Sequence, residues 1–179
     1  METVDNHEEE GFLEALAPLR EARQLMHAGL NTLQVAATAV TTAESRFAMA
    51  ALDTALQFLQ KQLLPGCRAE ETTIFPAVSS ITGVSNACHV MRAQHTTLMR
   101  MAGDLAQVAD AAREAGDLAE YTKYLQPLLF GLYAFSRAHL ESEDEAYLGL
   151  LEAVLSEHQV ATLAAEFEKA LDISPEHPE

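Results

Sequence analysis

The chain has 179 residues, with 11 Lys and Arg against 27 Asp and Glu, and a formal charge of −16. That length suits one domain with a sizeable core, and the acidity repels polyanions, which excludes DNA and RNA as partners. Cys67 and Cys88 are the only cysteines; they are too few for a disulfide framework and fit no zinc spacing, so both are expected to be reduced and, by default, buried and inert.

Ala, Leu, Glu, Gln and Met dominate, with 8 Gly, 6 Pro and no sustained alternation, so the expected fold is all-α. Residues 1–11 read as an acidic arm holding Glu2, Asp5, Glu8, Glu9 and Glu10. The arm has no basic start and no apolar run, hence no secretory signal. No later stretch reaches the roughly 18 apolar residues of a membrane span. The protein reads as cytoplasmic, without a membrane partner.

The first helix is expected from about Phe12 to Ala37, with Leu13, Leu16, Leu19, Met26, Leu30 and Leu33 at helical spacing. The second starts near Ala43, after Thr41 and Thr42, and continues toward Val78. Pro65 lies inside it and predicts a kink or local opening. Gly83 and Ser85 mark a turn, and the third helix runs from about Asn86 to Glu114, closed by a left-handed Gly116. Asp117 and Glu120 have the spacing of a capped start, so the fourth helix covers Leu118 to about Leu155. Ser156 and Gln159 repeat that signal and open a short fifth helix ending near Leu171. Long helices joined by short turns pack most simply as an up-down-up-down four-helix bundle, here residues 12–172, with residues 173–179 as a flexible tail.

Polar residues interrupt the inward line of each long helix. On the fourth, His139 and Glu143 lie one turn apart on the stripe of Leu132, Phe135, Ala146 and Leu150. The second helix carries Glu70 on the line of Leu52, Leu56, Leu59, Leu63, Gly66 and Ile74. The third carries His95 between Met91 and Leu98. His27 lies at the edge of the first helix's stripe, beside Met26 and Leu30 and near Arg23 and Gln24. A carboxylate out of water needs a partner, and a metal cation is a natural one. One histidine on an apolar face is usually a hydrogen-bonded core residue. Three imidazoles and two carboxylates on four inward faces suit one or two divalent cations. A ferritin-type centre is excluded, because no His here follows a Glu by three residues.

His27, the run from Leu63 through Gly66, Glu70, Glu71 and Phe75 to Pro76, the pair Gln94 and His95, and the run His139 to Glu145 together resemble the hemerythrin-like family. Its pattern is H…HxxxE…H…HxxxE, and the resemblance covers about Leu13 to Leu155. It implies an up-down bundle with a non-haem iron centre of one or two Fe. The implied ligands are His27, Glu70, His95, His139 and Glu143, with His95 and His139 terminal, His27 on the more labile metal, and the two carboxylates bridging. The family's second-helix histidine would fall at position 66, which is Gly66 here. That departure leaves an open position, room for a larger guest, or a decayed site. Cys67 lies roughly 100° round the helix from Gly66, and the Pro65 kink could swing its sulfur inward; Glu71 and Gln62 are lesser candidates. His7, His89, His158 and His177 read as structural or solvent-facing, and Met91 and Met99 as core filler.

The leading functional expectation is a protein that binds or senses a diatomic such as O₂ or NO, or iron or redox state. One alternative is a bundle that lost its metals and takes a haem or another flat apolar ligand at Gly66. Another is a metal-free interaction scaffold whose seam groups satisfy one another by hydrogen bonds. No nucleophile–base pair or phosphate-cradling glycine loop is visible, so catalytic turnover is not implied, and no protein partner is indicated.

Overall fold

A computed structural model describes residues 3–172, which form helices joined by short turns, with no strand among them. Helix α1 spans Thr3–Thr42. It therefore runs through most of the acidic segment expected as a separate arm. Acidic residues suit the positive end of a helix, and Gly11, though a poor helix former, does not break it. The expected tail, residues 173–179, lies outside the described residues.

The second rod is interrupted. It comprises α2 (Ser45–Phe58), a π-helical turn at Leu59–Leu63, α3 (Leu64–Thr72) and α4 (Ile74–Thr82). The π-turn falls immediately before Pro65, which sits in the first turn of α3, where its missing N–H costs least. A second break, at Thr73 (φ −123°), follows from Pro76. Proline cannot donate to the Thr72 carbonyl and its ring crowds that oxygen. The resulting bend carries Phe75 into the core, where it is fully buried.

Helix α5 (His89–Ala115) ends at Gly116 in the left-handed region, φ 65°, as the third helix was expected to end. The Asp117 carboxylate then accepts from the Ala119 and Glu120 amides and caps α6 (Leu118–Glu143). A second π-turn, Asp144–Leu148, leads into α7 (Gly149–Val154). It adds a residue to the turn and shifts the buried line. Ala146, expected inward, is exposed and Leu150 only partly buried, while Tyr147 and Leu151 take the core positions. In the first turn of helix α8 (Glu157–Asp172) the Gln159 side-chain oxygen accepts from the Ser156 amide at 2.9 Å.

Helix α1 packs along α2 and α6, and α6 along α5; α5 closes on α2 and α3, while α8 lies across α1 and α3. The seam of α1 with α2 is close, because the Phe58 ring fills the space a side chain at Gly29 would need. Two buried clusters result. The larger runs along α1, α2, α5 and α6, and the smaller gathers Leu16, Leu19, Phe75, Tyr147, Leu163 and Phe167 at the α8 end. Among the described residues Arg23, Glu70, His95, His139 and Glu143 are buried polar groups, and His95 stacks on Phe75 of the smaller cluster. No helix among the described residues is long and apolar enough to cross a membrane.

Candidate metal centre

Each rod delivers its part through regular spacing. On α5 the buried line is His95, Leu98, Ala102, Leu105, Ala109 and Ala112, the three-and-four alternation of a seam. On α6, Leu125, Leu129, Leu132, Ser136, His139 and Glu143 follow the same rule. On α3 both Cys67 and Glu70 are buried.

Ligand-type atoms of Cys67, Glu70, His95 and His139 all lie within 4.8 Å of one another. Glu143 adjoins them: its Oε1 is 3.5 Å from His95 Nε2, and its Oε2 is 3.5 Å from His139 Nε2. Glu70 Oε2 is 3.4 Å from His95 Nε2. These separations are too long for well-formed hydrogen bonds. Five buried side-chain polar atoms have no partner among the described residues. Four of them are Glu70 Oε2, His95 Nε2, His139 Nε2 and Glu143 Oε1, and the fifth is Ser136 Oγ on the turn before His139. Buried polar atoms are almost always satisfied, so four orphans aimed at one point call for a positive centre.

The opposite edges of both rings are held. His95 Nδ1 donates to Glu71 Oε1 at 2.9 Å, and His139 Nδ1 donates to Gln94 Oε1 at 2.8 Å. With the proton fixed on Nδ1, a neutral ring presents the Nε2 lone pair inward, the arrangement that metal-binding imidazoles use. Phe75 stacks on His95 at 5.2 Å between centroids and 19° between planes, fixing its rotation.

Arg23 completes the site from α1. Its Nη1 donates to Glu70 Oε1 at 2.6 Å and to Glu143 Oε2 at 2.8 Å, its Nε to Asp144 Oδ1 at 2.9 Å, and its Nη2 to the Leu140 carbonyl at 2.9 Å. Arg23 is only 8 % exposed. Against this group His27 stands apart. Its Nε2 pairs with Asp144 Oδ2 at 2.7 Å, and both side chains are about one-third exposed. The structure thus brings together Glu70, His95, His139 and Glu143 of the five expected ligands, adds Cys67, and leaves His27 outside. The π-turn after Glu143 lets two consecutive acids, Glu143 and Asp144, face the same guanidinium, a local widening of the kind that recurs at functional sites.

The charges are interdependent. Burial works against protonating His95, but Cys67, Glu143 and Glu70 outweigh it and push the ring to about 12. Burial, with the positive charges of His95 and Arg23, takes His139 down to about 4 despite Glu143. Burial and the charge of Glu143 raise Glu70. Glu143 is lowered, because His95, His139 and Arg23 overcome its own burial. Burial, then the nearby carboxylates, raises the Cys67 thiol. A cation at the centre would do the work that the His95 proton does without one.

Beside the cluster lies a cavity of about 20 Å³, walled by Leu19, Ile74, Phe75, Tyr147 and Phe167 with Arg23, Glu70 and Glu143 on its polar side. It has room for about one water. The space opposite Gly66 is filled by Met26, whose Sδ lies 2.7 Å from where a β-carbon would stand.

Arg23 and Asp144 were not expected at the site from sequence, and Met26 was expected only as a core residue. For Arg23 a signal existed, since Leu16, Leu19, Arg23, Met26, Leu30 and Leu33 alternate by three and four and a basic residue holds the seam position between Leu19 and Met26. No curated protein and no solved structure matches the chain. The model of the hemerythrin HHE cation binding domain matches residues 7–151, and the chain belongs to that family.

Proposed function

We propose that this protein binds iron at the cluster of Glu70, His95, His139 and Glu143, with Cys67 as a further donor, on a bundle of four alternating rods, and that it uses the metal to bind a diatomic such as O₂ or NO or to register iron or redox state. Four buried, unpartnered ligand atoms converging beside two imidazoles anchored through Nδ1 carry this reading. Bound iron would supply a redox-active Lewis acid. Nitrogen and carboxylate donors suit such a borderline cation, and a thiolate donor would add softness. Glu71 and Gln94 orient the rings, Arg23 holds one oxygen of each buried carboxylate, and Phe75 with Tyr147 and Phe167 shields the centre from bulk water. The small cavity on the polar side admits a molecule of diatomic size. A reducing, cytoplasmic setting suits the two free, buried thiols.

The rival readings have less behind them. A haem needs an opening that Met26 and the small cavity do not offer. A metal-free scaffold needs seam groups that satisfy one another, and four of them do not. Metal analysis together with an absorption spectrum of purified protein tests the proposal. Iron with near-ultraviolet charge-transfer bands is the expected result; a Soret band points to haem, and neither signal points to the scaffold.

A further inference from the structure

We infer that the Arg23 guanidinium stands in for a second metal cation, so that this centre takes up a single iron. The inference rests on the iron-binding reading above and concerns how many cations the site can accept.

Glu70 and Glu143 are each divided between two positive positions. One oxygen of each, Glu70 Oε1 and Glu143 Oε2, accepts from the same Arg23 nitrogen at 2.6 and 2.8 Å. The other oxygen of each, Glu70 Oε2 and Glu143 Oε1, is unpartnered and lies 3.4–3.5 Å from His95 Nε2. This is how carboxylates sit when they bridge two cations, with the guanidinium as one of the two.

Asp144 and His27, which stand beside Arg23 and could serve a second metal there, are engaged in the same network. Asp144 gives Oδ1 to Arg23 and Oδ2 to His27, so the His27 imidazole of α1 is tied to Asp144. From α3 no imidazole comes, because position 66 is glycine and Met26 occupies the space beside it. A guanidinium keeps its charge at any physiological pH, and its planar fork suits several carboxylates at once. A fixed cation already sits there. A divalent ion entering beside it would meet its repulsion and would have to take carboxylate oxygens from it.

The test is iron per chain, measured by mass spectrometry on the full protein as isolated and after anaerobic loading with excess Fe(II), with electron paramagnetic resonance of the oxidised sample. Wild type is expected to saturate at a single iron and to show an isolated high-spin ferric signal. Arg23→Lys, which keeps a cation, is expected to stay there. Arg23→Ala frees one oxygen each of Glu70, Glu143 and Asp144, beside His27, and is expected to accept a second iron, with the ferric signal lost to spin coupling. Wild type loading two irons per chain overturns the inference and leaves iron binding intact. Arg23→Ala with wild-type helicity and still a single iron also overturns it. Wild type that binds no iron removes the iron-binding reading and this inference together.

Discussion

The thioether sulfur of Met26 lies 2.7 Å from the point that a β-carbon on Gly66 would occupy. Glycine at position 66 is therefore not an opening toward solvent or a guest. Two positions on facing helices exchange volume, a side chain on α1 for the one missing on α3. Placing histidine at 66 forces Met26 to move, and overpacking of this kind costs about 1–3 kcal/mol. Gly66→His is expected to melt several degrees below wild type, and adding Met26→Ala is expected to recover part of the loss. Iron per chain is expected to stay at the wild-type level in both, because Arg23 remains. Thermal melts and metal analysis of the two variants check this.

The donor set makes a second prediction. His95→Ala and His139→Ala each remove a buried ring aimed at the centre, and both proteins are expected to lose most of their iron. Glu143→Ala removes a carboxylate from the centre and from Arg23 at once, and the same outcome is expected. His27→Ala is expected to keep the metal, because its ring pairs with Asp144 outside the cluster, where both side chains are half-buried. Pairs open to solvent contribute at most about 1 kcal/mol, and this one is partly open. Metal content of the four variants purified in parallel decides the matter. Iron lost with His27 and kept without His95 would reverse the assignment.

Much of this was legible in the sequence, for a physical reason. His95, His139, Glu143 and Glu70 are polar residues at seam positions of long, regular helices, and burial there follows from spacing alone. What spacing could not show lies where the helices depart from regularity or where a long side chain reaches. The π-turn at Asp144–Leu148 exchanges Ala146 and Leu150 for Tyr147 and Leu151 in the core. Cys67 joins the cluster on a helix that begins after another such turn. His27 sits at the edge of its stripe and falls outside the group, whereas Arg23, on the stripe itself, extends a flexible chain across to three carboxylates. A residue's place on the seam proved the better guide than its chemical type.

The outer contacts of the two rings give a third prediction. Glu71 and Gln94 accept the Nδ1 protons of His95 and His139, and removing such partners typically costs 10–100-fold in metal affinity. Glu71→Ala and Gln94→Ala are expected to weaken binding by about that factor while leaving the number of sites unchanged. Glu71→Gln retains an acceptor oxygen and is expected to lose less. Competition with a chelating dye supplies the affinities. Equal losses in Glu71→Gln and Glu71→Ala would show that charge, rather than ring orientation, is what Glu71 contributes.

Proton release follows from the electrostatics of the metal-free site. His95 is held protonated up to about 12, Glu70 and Cys67 are both raised, and His139, at about 4, is already neutral near pH 7. A cation that takes the His95 lone pair must displace a proton, and more if Glu70 or Cys67 also gives one up. Uptake at pH 7 is therefore expected to acidify a weakly buffered solution, and apparent affinity is expected to rise with pH. Titrating metal-free protein with Fe(II) or Co(II) in the presence of a pH indicator measures both. Binding without proton release would mean that His95 is not a ligand.

Helix α8 supplies the last prediction, since it lies beyond residues 7–151 of the family match yet puts Phe167 into the wall of the cavity beside Arg23, Glu70 and Glu143. Phe167 is 2 % exposed, and truncating a buried phenylalanine costs about 3–5 kcal/mol. Lost stability alone would not show that Phe167 guards the centre. Leu52, equally buried in the other core cluster, provides the control. Phe167→Ala is expected to release iron to a chelator markedly faster than Leu52→Ala, because it widens the water-sized space next to the carboxylates whereas Leu52→Ala opens a void far along the bundle. Equal release rates, normalised to equal stability, would assign α8 a purely structural role.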